Sequence, residues 1–300
     1  VQQSHKERYM NIQDFCYDGS KKFKIKEFDT KQTGGFENKT VVENYRDEHI
    51  LRLQEYQEKL FAENKEGLLI IFQAMDAAGK DGAVKYVMSG VNPAGVSVYN
   101  FKVPSSEESE HDYLWRAMRV APKRGMIAIF NRSYYEDVLV VKVHNLQLNA
   151  ILPDRCKSAK IFDQRYKQIK NYEKHLYQNG FRIIKIFLNI SKEEQKKQFL
   201  QRIDDPTKNW KFADGDIAER DFWDSYMDAY QDAINATATP ETPWYVVPSD
   251  KKWFARELIA EIILKTLKDM NPHYPEVSEE RVKILDEFRT KLLNEPENTK

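Results

Sequence analysis

The stretch AMDAAGKDGA, Ala74 to Ala83, sets a lysine and two carboxylates among small residues, the composition of a turn that binds phosphate. Such turns commonly read G-x-x-x-x-G-K-[ST]: backbone N–H groups wrap the phosphates, the lysine reaches the outer ones, and the hydroxyl holds Mg²⁺. Here Ala74 stands at the first glycine, Gly79 and Lys80 are retained, and Asp81 stands at the hydroxyl. An extra carboxylate, Asp76, falls inside the loop. A carboxylate beside phosphates repels them unless a hard cation lies between, so Asp76 reads as a Mg²⁺ ligand, directly or through water, with Asp81 as a second and weaker candidate. The candidate phosphate-binding positions are Ala77, Ala78, Gly79, Lys80, Asp81 and Gly82.

Two further stretches carry chemistry. RGMIAIFNRSYYEDV, Arg124 to Val138, reads as a strand that ends and a helix that begins, which places Asn131, Arg132, Tyr134, Glu136 and Asp137 at a strand's carboxyl end. In open parallel sheets those ends line the ligand crevice. Arg132 could then neutralise a transferring phosphoryl group and Glu136 could share a cation with Asp76. Taken alone, NRSYYED serves equally well as a helix cap. KKQFLQRIDDPTKNWKF, Lys196 to Phe212, gathers Arg202, Lys208 and Lys211 around Trp210, as a basic lid over phosphates would. By charge composition alone it reads more readily as a solvated helix and turn. Arg116, Arg119, Lys123 and Arg124 could extend a basic track, and Tyr99, Phe101 and Tyr134 could stack a nucleobase, with Lys102 beside them, although most aromatic residues in such a chain belong to the core.

These residues need a scaffold, and the pattern supplies one. GLLIIFQ, Gly67 to Gln73, is a continuous apolar run of the kind buried on both faces of a parallel sheet, and it leads directly into the loop. DGAVKYVMSG after the loop reads as a helix ending at Gly90, whose N-terminus adds unpaired N–H groups to the phosphate site. Apolar runs recur at Val96 to Phe101, Met126 to Phe130, Ile183 to Leu188 and Trp244 to Val247, with helix-period stretches between them, which predicts five parallel strands with helices on both faces. Upstream, the spacing of Ile50, Leu51, Leu53, Tyr56 and Leu60 predicts an amphipathic helix over 41–64. Residues 1–40 read as a lysine-rich arm over the surface, 41–270 as the main domain with a lid at about 192–218, and 271–300 as a C-terminal helix and tail.

Composition narrows the classes. The 300 residues, 41% hydrophobic and 31% charged, suffice for a sizeable core. Lys+Arg and Asp+Glu balance at 47 each, which argues against coating nucleic acid, so a polyanion must be held by local clustering. There is no run of 18 apolar residues and no secretory pattern at the start, so the expected place is the cytoplasm, away from membranes. Cys16 and Cys156 form no C-x-x-C pair, the six histidines form no H-x-x-x-H pair, and no G-x-S-x-G occurs, which gives structural-zinc, metallohydrolase and esterase readings no support.

MDAAGKDG with VMSGVNPAGV, FNRSYYEDVLVVKVH, and RIDDPTKNWKF with W-x-x-V-P at the last strand together resemble the family-two polyphosphate kinases, over roughly Phe28 to Lys268. The resemblance implies an α/β P-loop kinase fold: a three-layer αβα sandwich, a mainly parallel five-stranded sheet and a helical lid. It implies Mg²⁺-dependent phosphoryl transfer, with Mn²⁺ as a substitute, between inorganic polyphosphate and AMP, ADP or ATP, in a homo-oligomer built as a dimer of dimers. Carried over by motif, Asp76 falls on the metal-coordinating aspartate, Lys80 on the loop lysine, Arg132 on the arginine of the second phosphate motif, and Arg202, Lys208 and Lys211 in the lid. Many members carry FDRSWYNR where this chain has FNRSYYED, so Asn131 replaces an aspartate and Glu136 an asparagine. That exchange resembles the class III subgroup, which accepts both AMP and ADP, and moves the second metal carboxylate to Glu136. Two other readings stand beside this one: an ATP-dependent nucleoside monophosphate kinase, and a non-catalytic nucleotide switch, which the missing N-K-x-D motif disfavours.

Overall fold

Apolar runs become strands in this chain wherever both faces can be covered, and the clearest is β2, Gly67–Ala74, buried at every position. The computed structural model describes residues 10–40 and 46–295. Around β2 are β1 (Cys16–Tyr17), β3 (Val96–Asn100), β4 (Ile127–Asn131), β5 (Phe181–Asn189) and β6 (Trp244–Pro248). They form a six-stranded sheet in the order β1-β6-β5-β2-β4-β3. All pairings are parallel except β1 with β6. Helices of eight residues or more are α1 (Arg46–Glu63), α2 (Lys80–Val87), α3 (Ile161–Gln178), α4 (Lys192–Asp204), α5 (Trp223–Thr237), α6 (Lys252–Met270) and α7 (Glu279–Leu293).

The five expected strands are all present, and the count is corrected to six by β1. Two residues are too few for an alternation to show in sequence; register against Tyr245 and Trp244 identifies the strand. The same stretch is more than a surface arm, because Phe15, Phe23, Ile25 and Phe36 are buried and the Phe15 ring lies 5.9 Å from that of Phe254 on α6. Widely spaced aromatics among lysines carry neither a helical nor a strand period, which hid this packing from the pattern.

Of the helix expected over 41–64, residues 41–45 lie outside the described residues and the rest forms α1. Its inward face holds Leu53, Gln57 and Leu60, whereas Leu51, expected on that face, is 66% exposed. α2 stops at Val87, short of Gly90. HDYLWRAMRVA yields only the turn Trp115–Met118, which ends before Pro122. No helix among the described residues is long and apolar enough to cross a membrane.

α1 is fastened to α6 by one imidazole. His49 Nδ1 lies 3.0 Å from Glu257 Oε2 and its Nε2 lies 3.1 Å from Glu261 Oε2. Burial alone would lower the His49 pKa, but the two carboxylates outweigh it and push it up to about 9. A folded-state value above the unfolded 6.5 gives stability that is complete below pH 6.5 and lost as pH rises through 9. Unfolding free energies measured across that window should therefore fall in the native sequence by on the order of 3 kcal/mol more than in His49→Phe. Parallel pH profiles for the two would show that His49 takes up no proton on folding.

Candidate active site

Ala74, at the position of the first motif glycine, is the last residue of β2 and pairs in register with Leu188. Extended backbone needs no glycine there, so the substitution leaves the loop intact. The chain then turns through Ala77 at φ 63° and Gly79 at φ 99° into α2. A left-handed alanine costs about 1–3 kcal/mol and persists only where its surroundings fix it, a feature of functional turns. No side chain caps α2 at Gly79, so the helix's first N–H groups are available to an anion.

β2 and β4 are adjacent, with Phe72 opposite Asn131, so the segments leaving their carboxyl ends meet. Arg132 has φ 61°, its N–H donates to the Phe72 carbonyl at 2.9 Å, and its Nη2 donates to Asp76 Oδ1 at 2.9 Å. Lys80 Nζ donates to the Ala74 carbonyl at 3.0 Å. Burial lowers the Lys80 pKa, an effect that Asp76 and Glu136 oppose. Burial likewise raises that of Glu136, against the pull of Arg132 and Lys80. Beneath them the Gln73 amide, oriented so that its nitrogen donates to Glu136 Oε1 at 2.9 Å, accepts from Ser133 N and Oγ at 3.1 Å each. Asp76, Lys80, Arg132 and Glu136 are thus one cluster of two cations and two carboxylates. Asp81 is held apart, accepting from Asn131 Nδ2 at 2.8 Å while the same amide donates to Asn100 Oδ1.

Among the described residues no group of three or more His, Cys, Asp or Glu could cage a metal. Asp76 and Glu136 beside an anion-binding loop are nevertheless the donor set that Mg²⁺ takes when phosphates and waters complete its octahedron. The residues fit that ion, and Mn²⁺ shares the preference for oxygen ligands.

The segment expected as a lid, 192–218, reaches the loop at its base. Gln195 on α4 donates to the Asp76 carbonyl at 3.0 Å and accepts from Arg220 at 2.6 Å. Farther out, Arg202 donates to the Lys211 carbonyl at 3.2 Å and faces Asp216 at 3.8 Å, Lys208 pairs with Asp205 at 2.8 Å, and Lys211 lies over the Trp210 ring. Among the described residues none of these three lid cations forms a hydrogen bond or ion pair with the loop.

Two cations on α6 escaped the sequence reading. A Cβ at Gly79 would lie 3.9 Å from Lys252 Cε, and one at Gly82 would lie 3.1 Å from Arg256 Nη2. Both side chains line a cavity of about 460 Å³ beside α2, together with Tyr86 and Trp253. Their spacing of four residues was the available signal, but it is shared by many solvated helices.

Several expected contacts are corrected. Tyr134 is wholly buried with its hydroxyl on Glu173, so it presents no face to a base. Phe101 is buried against Phe130 and covered by the Arg116 guanidinium. Arg165 binds the Asp137 carbonyl at 2.7 Å and faces its carboxylate at 3.5 Å. Lys102 and Asn131 are left more open. The basic track disperses, because Arg116 donates to the Lys102 carbonyl whereas Arg124 donates to the carbonyls of Lys65 and Asn179.

A strand, a left-handed turn and an uncapped helix, faced by an arginine that follows the adjacent parallel strand, form an arrangement of the P-loop kinase fold. Residues 36–275 match the family model described as Polyphosphate kinase 2 (PPK2), and the chain belongs to that family. It is 48% identical over 246 residues to the ADP-polyphosphate phosphotransferase of Rhodopseudomonas palustris, covering 81% of this chain and 85% of that one. To the AMP/ADP-polyphosphate phosphotransferase of Meiothermus ruber it is 41% identical over 267 residues, covering 89% and 96%. The crystal structure of polyphosphate kinase 2 from Arthrobacter aurescens superposes with a TM-score of 0.80 at 40% identity, covering 88% of this chain and 93% of that one.

If Lys80 and Arg132 stabilise charge on a moving phosphoryl group, Lys80→Ala and Arg132→Ala should each lower kcat by about 10²-fold or more. Near-normal turnover in a folded variant would remove that residue from the site.

Proposed function

We propose that the protein transfers the terminal phosphoryl group of inorganic polyphosphate to ADP and to AMP. The convergence of Lys80, Arg132, Asp76 and Glu136 beside the uncapped start of α2 carries this reading. The loop N–H groups and Lys80 hold the end of the donor chain. An oxygen of the nucleotide's terminal phosphate attacks the terminal phosphorus in line, the bond to the next bridging oxygen breaks, and the chain leaves one phosphate shorter. Arg132 accompanies the charge on the transferring group, exchanging its Asp76 partner for phosphate oxygens. A nucleotide phosphate is already nucleophilic near neutral pH, so no residue has to act as base.

Asp76 and Glu136 would hold Mg²⁺, which when bound offsets phosphate charge and aligns donor with acceptor. Lys252 and Arg256 on one side of α2, with Arg202, Lys208 and Lys211 on the lid, are suited to the rest of a polyanion. Glu136 in place of the asparagine of other members supports acceptance of AMP as well as ADP.

The test is to mix purified protein, Mg²⁺, long-chain polyphosphate and either AMP or ADP, without ATP, and to follow ATP. ATP is expected from both acceptors. ATP from ADP alone would withdraw the AMP assignment. Activity that appears only when ATP is supplied as donor would instead identify an ordinary nucleoside monophosphate kinase.

A further inference from the structure

IIKIFL sets a lysine inside an otherwise apolar run, and phosphoryl transfer as described makes no use of it. Lys185 is wholly buried on β5, where its ammonium donates to Glu173 Oε2 at 2.6 Å, to the Thr237 carbonyl at 2.9 Å and to Thr242 Oγ1 at 3.4 Å. Glu173, wholly buried on α3, accepts on its other oxygen the hydroxyls of Tyr134 at 3.0 Å and Tyr135 at 2.8 Å. Tyr135 Oη also lies 2.9 Å from Thr237 Oγ1, which accepts from Trp244 Nε1 at 2.9 Å. The network joins α3, β5, α5, β6 and the turn after β4, and no polar side-chain atom in it lacks a partner.

Replacing a buried ion pair by apolar residues of similar volume is often neutral or stabilising, so stability alone does not account for this one. The network is tied to the site residues through Tyr134 and Tyr135, which lie between Arg132 and Glu136 in the chain. Arg132 sits at φ 61°, a backbone state that a long side chain keeps only when neighbours impose it. We infer that Glu173 is a positioning residue for phosphoryl transfer: held by Lys185, it grips both tyrosine hydroxyls and so fixes the turn from which Arg132 and Glu136 reach the phosphates. This rests on the roles proposed above for Arg132 and Glu136.

The experiment compares E173L/K185M, E173Q/K185M, Y134F/Y135F and Arg132→Ala for thermal unfolding, kcat and polyphosphate KM. E173L/K185M removes both charges at similar volume but leaves the buried Tyr134 hydroxyl without its acceptor, so it should fold with a lowered unfolding temperature. Its kcat should fall about tenfold or more, since displacing catalytic groups by an ångström costs up to about 10²-fold. Its KM should stay within about twofold, the signature of a group that acts in the transition state. Y134F/Y135F should lose kcat in the same way. E173Q/K185M, whose amide oxygen still accepts both hydroxyls, should recover most of it. Full kcat in E173L/K185M, full kcat in Y134F/Y135F, or equal losses in the two double replacements of Glu173 and Lys185 would each overturn the inference. Full kcat in Arg132→Ala would overturn the proposed role of Arg132 and the inference with it. Loss in Arg132→Ala beside full kcat in E173L/K185M would overturn the inference alone.

Discussion

The ion pair between Arg132 and Asp76 spans the carboxyl ends of two adjacent parallel strands at 2.9 Å, and the site depends on the balance it strikes. A loop built to bind phosphate collects positive charge; without an anion, that charge repels itself. Asp76 and Glu136 supply the compensation here, and both act on Lys80 as well as on Arg132. On the proposed reading, an incoming polyphosphate would offer the same two cations stronger partners, and the displaced carboxylates would then face phosphate. Only a cation between them makes that arrangement favourable.

The rest of the fold keeps these four side chains where the exchange can happen. β2 and β4 fix the separation of the two motifs through backbone pairing, and left-handed turns at Ala77 and Arg132 aim the side chains across the gap. Gln195 ties the lid helix to the carbonyl of Asp76 itself, so the lid and the loop share an anchor while the lid's outer cations stay engaged with their own segment. Lys252 and Arg256 approach α2 beside α4, with Lys252 donating to Gln198, and Gly82 leaves room for the Arg256 guanidinium.

Local chemistry was the legible part of the sequence. MDAAGKDG and FNRSYYED announced their residues because loop, strand end and helix start are contiguous, and five strands showed because each is a mainly apolar run, buried in all but the edge strand β3. What escaped depends on distant contacts. β1 exists through its pairing with β6, and Gln195 and Arg220 matter only because the fold brings α4 back over the loop. Tyr134 was misplaced because an aromatic after a strand looks the same whether it lines a crevice or grips a buried glutamate. Lys185 was visible as an odd letter in an apolar run, but Glu173 and Thr237, which its ammonium meets, lie on separate elements.

The proposed role of Asp76 is to work through a divalent cation and otherwise to oppose the donor. Binding of polyphosphate to the native protein and to Asp76→Asn, measured by calorimetry in EDTA and again in Mg²⁺ with turnover recorded in parallel, tests it directly. Asp76→Asn should bind at least as tightly as the native protein in EDTA, yet lose turnover in Mg²⁺. Weaker binding by Asp76→Asn in EDTA would contradict it, and would make the carboxylate a support for Arg132 and the loop.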